Sequence, residues 1–219
     1  MITYKDIKNN SEINTYIEKA DQSLDAIGYT EHSFTHAKRV AGTAKMILEE
    51  LGYPQREAEL AQIAGYMHDI GNLINRIEHA QSGAIMAFRI LRAMGMEPDE
   101  TATVVTAIGN HDESTAMPVN PVAAALIIAD KSDVRRSRVR NRDTISFDIH
   151  DRVNYSVKSS KVVVDRENGR IELHLVADTK RFSAMEFYEI FLERMLLCRR
   201  AAEHLKVKFV TYLDDQILA

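Results

Sequence analysis

Residues 65–72 read GYMHDIGN and close an apolar stretch with a histidine and an aspartate side by side. Leu60, Ala64, Met67 and His68 form one stripe at helical spacing, which predicts a helix over 55–68 with His68 on its apolar face. The pair alone decides nothing, because His111-Asp112 and His150-Asp151 repeat it. What distinguishes His68-Asp69 is what the neighbouring segments bring to it.

A predicted helix over 32–51 puts His36 in line with Val40, Thr43 and Ile47, and one over 79–95 aligns His79 with Gly83, Met86 and Ile90. In the predicted helix 98–111, His111 follows Val104, Ala107 and Ile108. In 119–137, Asp130 follows Ala123, Leu126 and Ile127. With a helix over 11–27, the first two thirds of the chain read as helices joined by short loops. Pro54, Pro98 and Pro121 lie near helix starts, and Gly52, Gly71 and Gly95 near helix ends. One inward histidine is most often a satisfied core residue. Five helices each delivering an imidazole or carboxylate inward are different, because buried polar groups are costly unless paired or coordinated. His36, His68, Asp69, His79, His111 and Asp130 therefore predict a centre for one or two divalent ions. Mixed nitrogen and oxygen donors suit Mn, Fe, Co, Ni or Zn, and Mg is not distinguished from them.

The pattern changes after residue 158. SKVVVDRENGRIELHLVAD alternates apolar and polar residues on both sides of Glu167-Asn168-Gly169, which predicts a hairpin. Residues 183–204 return to helical spacing, 207–213 read as a third strand, and 143–157 hold at most one short helix. The expected fold is mainly α: a helical bundle over 1–157 and a small ββαβ appendage over 158–219. Pairing across a homodimer is one way to cover the edge of the third strand.

At the residues already named, the chain resembles the HD-domain superfamily of metal-dependent phosphohydrolases. The resemblance covers about 30–140 and rests on an ordered series: His36 in HAKRVAGTAKMILEEL, the doublet in HDIGN, and Asp130 in IIADKSD. It implies a helical HD bundle in which His36, His68, Asp69 and Asp130 hold a first ion. His79 in HAQSGAIMAFRIL and His111 in AIGNHDE resemble the segments that supply a second. HDIGNLINRIEH lacks the Glu-Asp pair of the stringent-nucleotide branch. Asn72 stands where the cyclic-di-nucleotide branch has a lysine, Asn110-His111 replaces its double histidine, and Gly52-Tyr53-Pro54 lies upstream of the doublet. Both specialised substrates lose weight.

The implied activity is hydrolysis of a nucleotide, or another small phosphate ester or anhydride, by metal-activated water. Asp69 would bridge ions roughly 3.5–4 Å apart. Lys131 and Arg135, in the basic stretch DKSDVRRSRVRNR (130–142) that is expected to continue the helix of Asp130, are candidates for binding phosphate, with Asn72 as a further substrate contact. Glu113 and its neighbour Asp112 are candidates for proton transfer, or for orienting His111. His32, His150, His174 and His204 match nothing in the series. The competing functions are a regulatory metal- or nucleotide-binding HD module without turnover, and a di-iron oxygenase of HD type.

Composition narrows the partners. A net charge of −4 over 219 residues provides no basic field for nucleic acid or membrane, and the basic stretch has no interleaved aromatics. Cys198, the only cysteine, excludes an intramolecular disulfide and reads as core filler rather than nucleophile. The opening MITYKDIKNNSE lacks the order of a signal peptide, and no apolar run approaches the ~20 residues of a membrane span. A cytoplasmic location is expected.

Overall fold

The computed structural model describes residues 1–140, 149–178, 184–214 and 216–218. Arg142 and the first half of the 143–157 segment lie outside them. The first helix, α1 (Tyr4–Lys8), is opened by a capping box between Thr3 and Asp6, a signal that the hydrophobic stripes pass over. It is followed by α2 (Ser11–Ala26), α3 (Phe34–Leu51), α4 (Gln55–Met67), α5 (His79–Ala93), α6 (Pro98–Gly109) and α7 (Pro121–Lys131). The six expected helices are therefore all present, with one boundary substantially different.

That boundary is the end of α7. The helix stops at Lys131 rather than 137: Asp133 leaves it to meet His36, and Arg135 is fully extended at φ −160°. Residues 132–140 are thus a loop with a single 3₁₀ turn at Arg136–Arg138, not a continuation of the helix. Upstream, Val122 to Ala129 are all buried, so α7 is apolar on every side and fills the middle of the bundle. It packs against α3, α4 and α6, and on its remaining side against α9 (Ala184–His204).

Two glycines set the approach of the elements that carry the doublet. A Cβ on Gly65 would lie 2.9 Å from the Ala41 backbone, so only glycine lets α4 lie this close to α3. Gly71 is not a helix cap, as its position suggested. It sits in a 3₁₀ turn (Ile70–Leu73), and a Cβ there would fall 1.9 Å from the His79 carbonyl oxygen. The missing side chain brings the turn after Asp69 directly against the start of α5.

The second part begins with α8 (Ile149–Ser156) and the hairpin of β1 (Val157–Asp165) and β2 (Arg170–Ala177), closed by Asn168 N–H donating to Asp165 Oδ1 at 3.1 Å. Helix α9 crosses one face and returns the chain as β3 (Lys208–Leu213), parallel to β2. The expected ββαβ order gains a strand: Asp214, at φ 47°, reverses the chain so that β4 (Gln216–Ile217) pairs with Tyr212 and Leu213. The end of β3 is therefore covered within the chain. Ile171, Leu173 and Leu175 share one apolar cluster with Phe187 and Phe191 of α9, and it continues into the bundle. Among the described residues, no helix is long and apolar enough to cross a membrane.

Candidate metal centre

The six predicted ligands come from five helices and meet at helix ends. His36 lies in the first turn of α3, and His68 caps the end of α4 with Asp69 next. His79 opens α5, His111 follows the end of α6, and Asp130 is the penultimate residue of α7. All four histidines are at most 3% exposed, so the stripes did point inward. Three of the contributing ends, those of α4, α6 and α7, are C-termini, whose partial negative charge favours a cation between them.

Each imidazole is held at Nδ1, leaving Nε2 for the centre. His68 donates Nδ1–H to the Gly65 carbonyl at 2.9 Å, His79 to Arg76 at 3.0 Å, and His111 to Ile108 at 2.6 Å, each three residues back. His36 donates instead to Asp133 Oδ2 at 2.8 Å, and Asp133 is braced by Arg39 and Arg135 through Oδ1, both at 2.9 Å. These partners assign one tautomer to all four rings. Burial alone would raise the Asp133 carboxyl, but the His36 hydrogen bond and the nearby arginines hold it far below the usual range.

The Nε2 atoms form two pairs, His36 with His68 and His79 with His111, each 3.2 Å apart. Two cis ligands each about 2.1 Å from one ion are separated by about 3 Å, so both pairs fit a shared cation. Asp69 stands between them. Its Oδ2 lies 3.1 Å from His68 and 3.6 Å from His36; its Oδ1 lies 3.5 Å from His79 and 3.9 Å from His111. Asp130 Oδ1 completes the first set, 3.3 Å from His36 and 3.6 Å from His68. Oδ2 of Asp69 is buried and, among the described residues, accepts no aligned hydrogen bond. A buried carboxylate oxygen left in this way calls for a cation, and the His/Asp donor set suits a divalent one.

The local charges agree. Burial pushes His111 down to about 3, with His68 and Lys131 acting in the same direction. For His68 burial acts downward too, but Asp69 and the bonds to Asp130 outweigh it and push the ring up to about 10. Without an ion, one proton on His68 supplies part of the positive charge that the two aspartates demand.

A cavity of about 420 Å³ opens onto Asp69, His79, His111 and Asp130. Lys131 lines it, with Nζ 2.5 Å from Asp130 Oδ2. Arg135 does not: its guanidinium is spent on Asp133 and on Glu31 at 3.0 Å, because α7 ends too early to turn it inward. Asn72 is turned to Asp69, donating to both its carbonyl and Oδ1 at 3.0 Å, so it orients the Asp69 carboxylate. Glu113 lines the cavity and is engaged by Arg194 at 2.7 Å and Lys131 at 3.8 Å. Neither it nor Asp112 orients His111, since Ile108 does so. Asp112 Oδ1 instead lies 3.9 Å from His79 Nε2.

Several cavity and supporting residues were not singled out from the sequence. Asp133 stands three residues after Asp130, a spacing that a helix face would have flagged. His32 also lines the cavity, its ring edge-on to His36, and its i, i+4 spacing to His36 was the available signal. Arg76, over the Tyr29 ring at 5.5 Å, and the buried Arg138 add positive charge. Asn154 and Arg194 reach the same cavity from α8 and α9, with no local pattern to announce them. His174 lies elsewhere, stacked on Tyr212 and bonded to Glu172 in the sheet.

Fold and site together define a helical domain built round a histidine–aspartate centre suited to divalent ions. Residues 33–135 match the family model of the HD domain, and that span is an HD domain. It is 27% identical over 159 residues to the uncharacterized protein MJ1020 of Methanocaldococcus jannaschii, covering 63% of this chain and 61% of that protein. It is 32% identical over 166 residues to Ribonuclease Y of Aquifex aeolicus, covering 73% of this chain and 28% of that protein. The chain thus spans less than two thirds of either relative. The crystal structure of a predicted HD superfamily hydrolase from an uncultured Thermotogales bacterium is similar at a TM-score of 0.45 and 26% identity, over 57% of this chain and 67% of that one.

Proposed function

We propose that this protein is a metal-dependent phosphohydrolase acting on a nucleotide or another small phosphate ester or anhydride. The observation that carries the reading is Asp69, which offers one carboxylate oxygen to each of two histidine pairs on the wall of a cavity lined with cationic side chains. His36, His68, Asp69 and Asp130 would hold one ion, and Asp69, His79 and His111 a second. Divalent ions held there supply Lewis-acid stabilisation of phosphoryl oxygens and acidify water.

The chain's own residues prepare that chemistry. Asn72 fixes the Asp69 carboxylate, and Asp133 fixes His36, so the donors are set before substrate arrives. Lys131 and Arg76 flank the centre on the Asp130 and His79 sides, where they neutralise charge on a bound phosphate. Burial of the histidines keeps bulk water from the donor atoms.

The test is phosphate or product release by protein supplied with Mn²⁺ or Fe²⁺, across phosphomonoesters, dinucleoside polyphosphates and cyclic dinucleotides. Short RNA belongs in the panel because of the similarity to Ribonuclease Y. Hydrolysis that disappears on chelation is expected for at least one class. No turnover of any by the metal-loaded protein would favour the regulatory module, and oxygen consumption by an iron-loaded sample would favour the oxygenase.

A further inference from the structure

The cavity is not built by the HD span alone. Helix α9, outside residues 33–135, sends Arg194 into it, and the contacts there form a line of alternating charge leading away from the centre. Asp130 Oδ2 meets Lys131 Nζ at 2.5 Å, Lys131 faces Glu113 Oε1 at 3.8 Å, and Glu113 faces Arg194 Nε at 2.7 Å. Arg194 is steadied by the Phe191 ring 5.3 Å below its guanidinium, and its side chain is 31% exposed. The Glu113 contact is close but not aligned as a hydrogen bond, and Arg194 makes no other ion pair among the described residues. Its guanidinium therefore keeps donors for a planar or tetrahedral anion.

We infer that Arg194 binds a second phosphate of the substrate, one removed from the phosphate at the ions, with Glu113 as the counterion that this phosphate displaces. The inference rests on the phosphohydrolase reading for its substrate, but the charge ladder belongs to the chain itself. A phosphoryl group beside Asp130 meets Lys131 first. The next phosphate of a diphosphate or bisphosphate extends past Lys131 to the position that Glu113 now occupies. The C-terminal part thereby selects substrates carrying two phosphates over those carrying one.

Imidodiphosphate, whose bridging nitrogen resists hydrolysis, and orthophosphate are the probes, titrated calorimetrically into Mn²⁺-loaded full-length protein. Arg194→Gln should weaken imidodiphosphate roughly tenfold and orthophosphate by less than about twofold, with metal content unchanged. Arg194→Lys should fall between the two, and Glu113→Gln should tighten imidodiphosphate because the competing carboxylate is gone. No imidodiphosphate binding by the wild type, equal affinity in Arg194→Gln, or an equal loss in Arg194→Gln and Glu113→Gln would each overturn the inference; the last would mean that the pair only holds the fold. The two readings separate cleanly. The expected affinity pattern without hydrolysis of any ester strikes the activity alone, whereas ester hydrolysis with an unchanged Arg194→Gln profile strikes the second-phosphate site alone.

Discussion

At the residue scale the four Nδ1 contacts fix the candidate donors. A histidine whose Nδ1–H is committed presents a fixed Nε2 lone pair, and three of the four here use a carbonyl three residues back. His36 alone depends on a side chain, Asp133. Asp133→Asn should therefore lower metal affinity by about 10–100-fold while activity recovers at saturating Mn²⁺; unchanged affinity by calorimetry would remove Asp133 from the account. His68 gives a pH dependence. Its folded pKa, about 10, lies above the 6.5 of an ordinary histidine. The ion-free protein should therefore keep this contribution to stability below about pH 6.5 and lose it as pH rises through about 10. An ion must displace the same proton, so Mn²⁺ affinity should rise about tenfold per unit from about pH 6 to about pH 8. A flat affinity profile, or no proton release into buffer, would count against it.

At the element scale, the helical stripes were legible because every predicted ligand sits within a turn or two of an apolar run whose period continues to it. His68 and Asp130 are extensions of such runs, and their inward direction follows from spacing alone. The end of α7 was not legible. Nothing in DKSDVRRSRVR breaks helical propensity, and the chain leaves the helix because Asp133 is worth more against His36, Arg39 and Arg135 than in another turn. That is a tertiary reason, and it moved Arg135 out of the cavity. Gly71 was legible as a glycine but not as a close approach, since its neighbour His79 lies eight residues on in a separate element. Gly71→Ala should force the turn away from α5. The expected cost is about 1–3 kcal/mol, with a lower Tm and loss of the His79 side of the centre before the His36 side. Gly71→Ala with unchanged Tm and full metal content would show that the approach is slack.

At the scale of the whole molecule, one apolar cluster runs from α1 to the sheet, and the cavity is walled by both parts. The HD span was readable from an ordered set of residues, but Arg194 was not, because its only tie to the site is spatial. Because the proposed ligands come from five helices, filling the centre should stabilise the bundle as a unit. Mn²⁺ at about 100 times its Kd should add about 2.7 kcal/mol, seen as a rise in Tm that chelation reverses. An equal Tm with and without ion would mean that the donors do not bind it in the folded state. The most direct measurement is metal stoichiometry by elemental analysis of protein purified without chelator, beside His79→Ala and Asp69→Ala. Two ions per chain in the wild type, one in His79→Ala and none in Asp69→Ala is the predicted result. A single ion in the wild type that survives His79→Ala would contradict the two-pair centre bridged by Asp69.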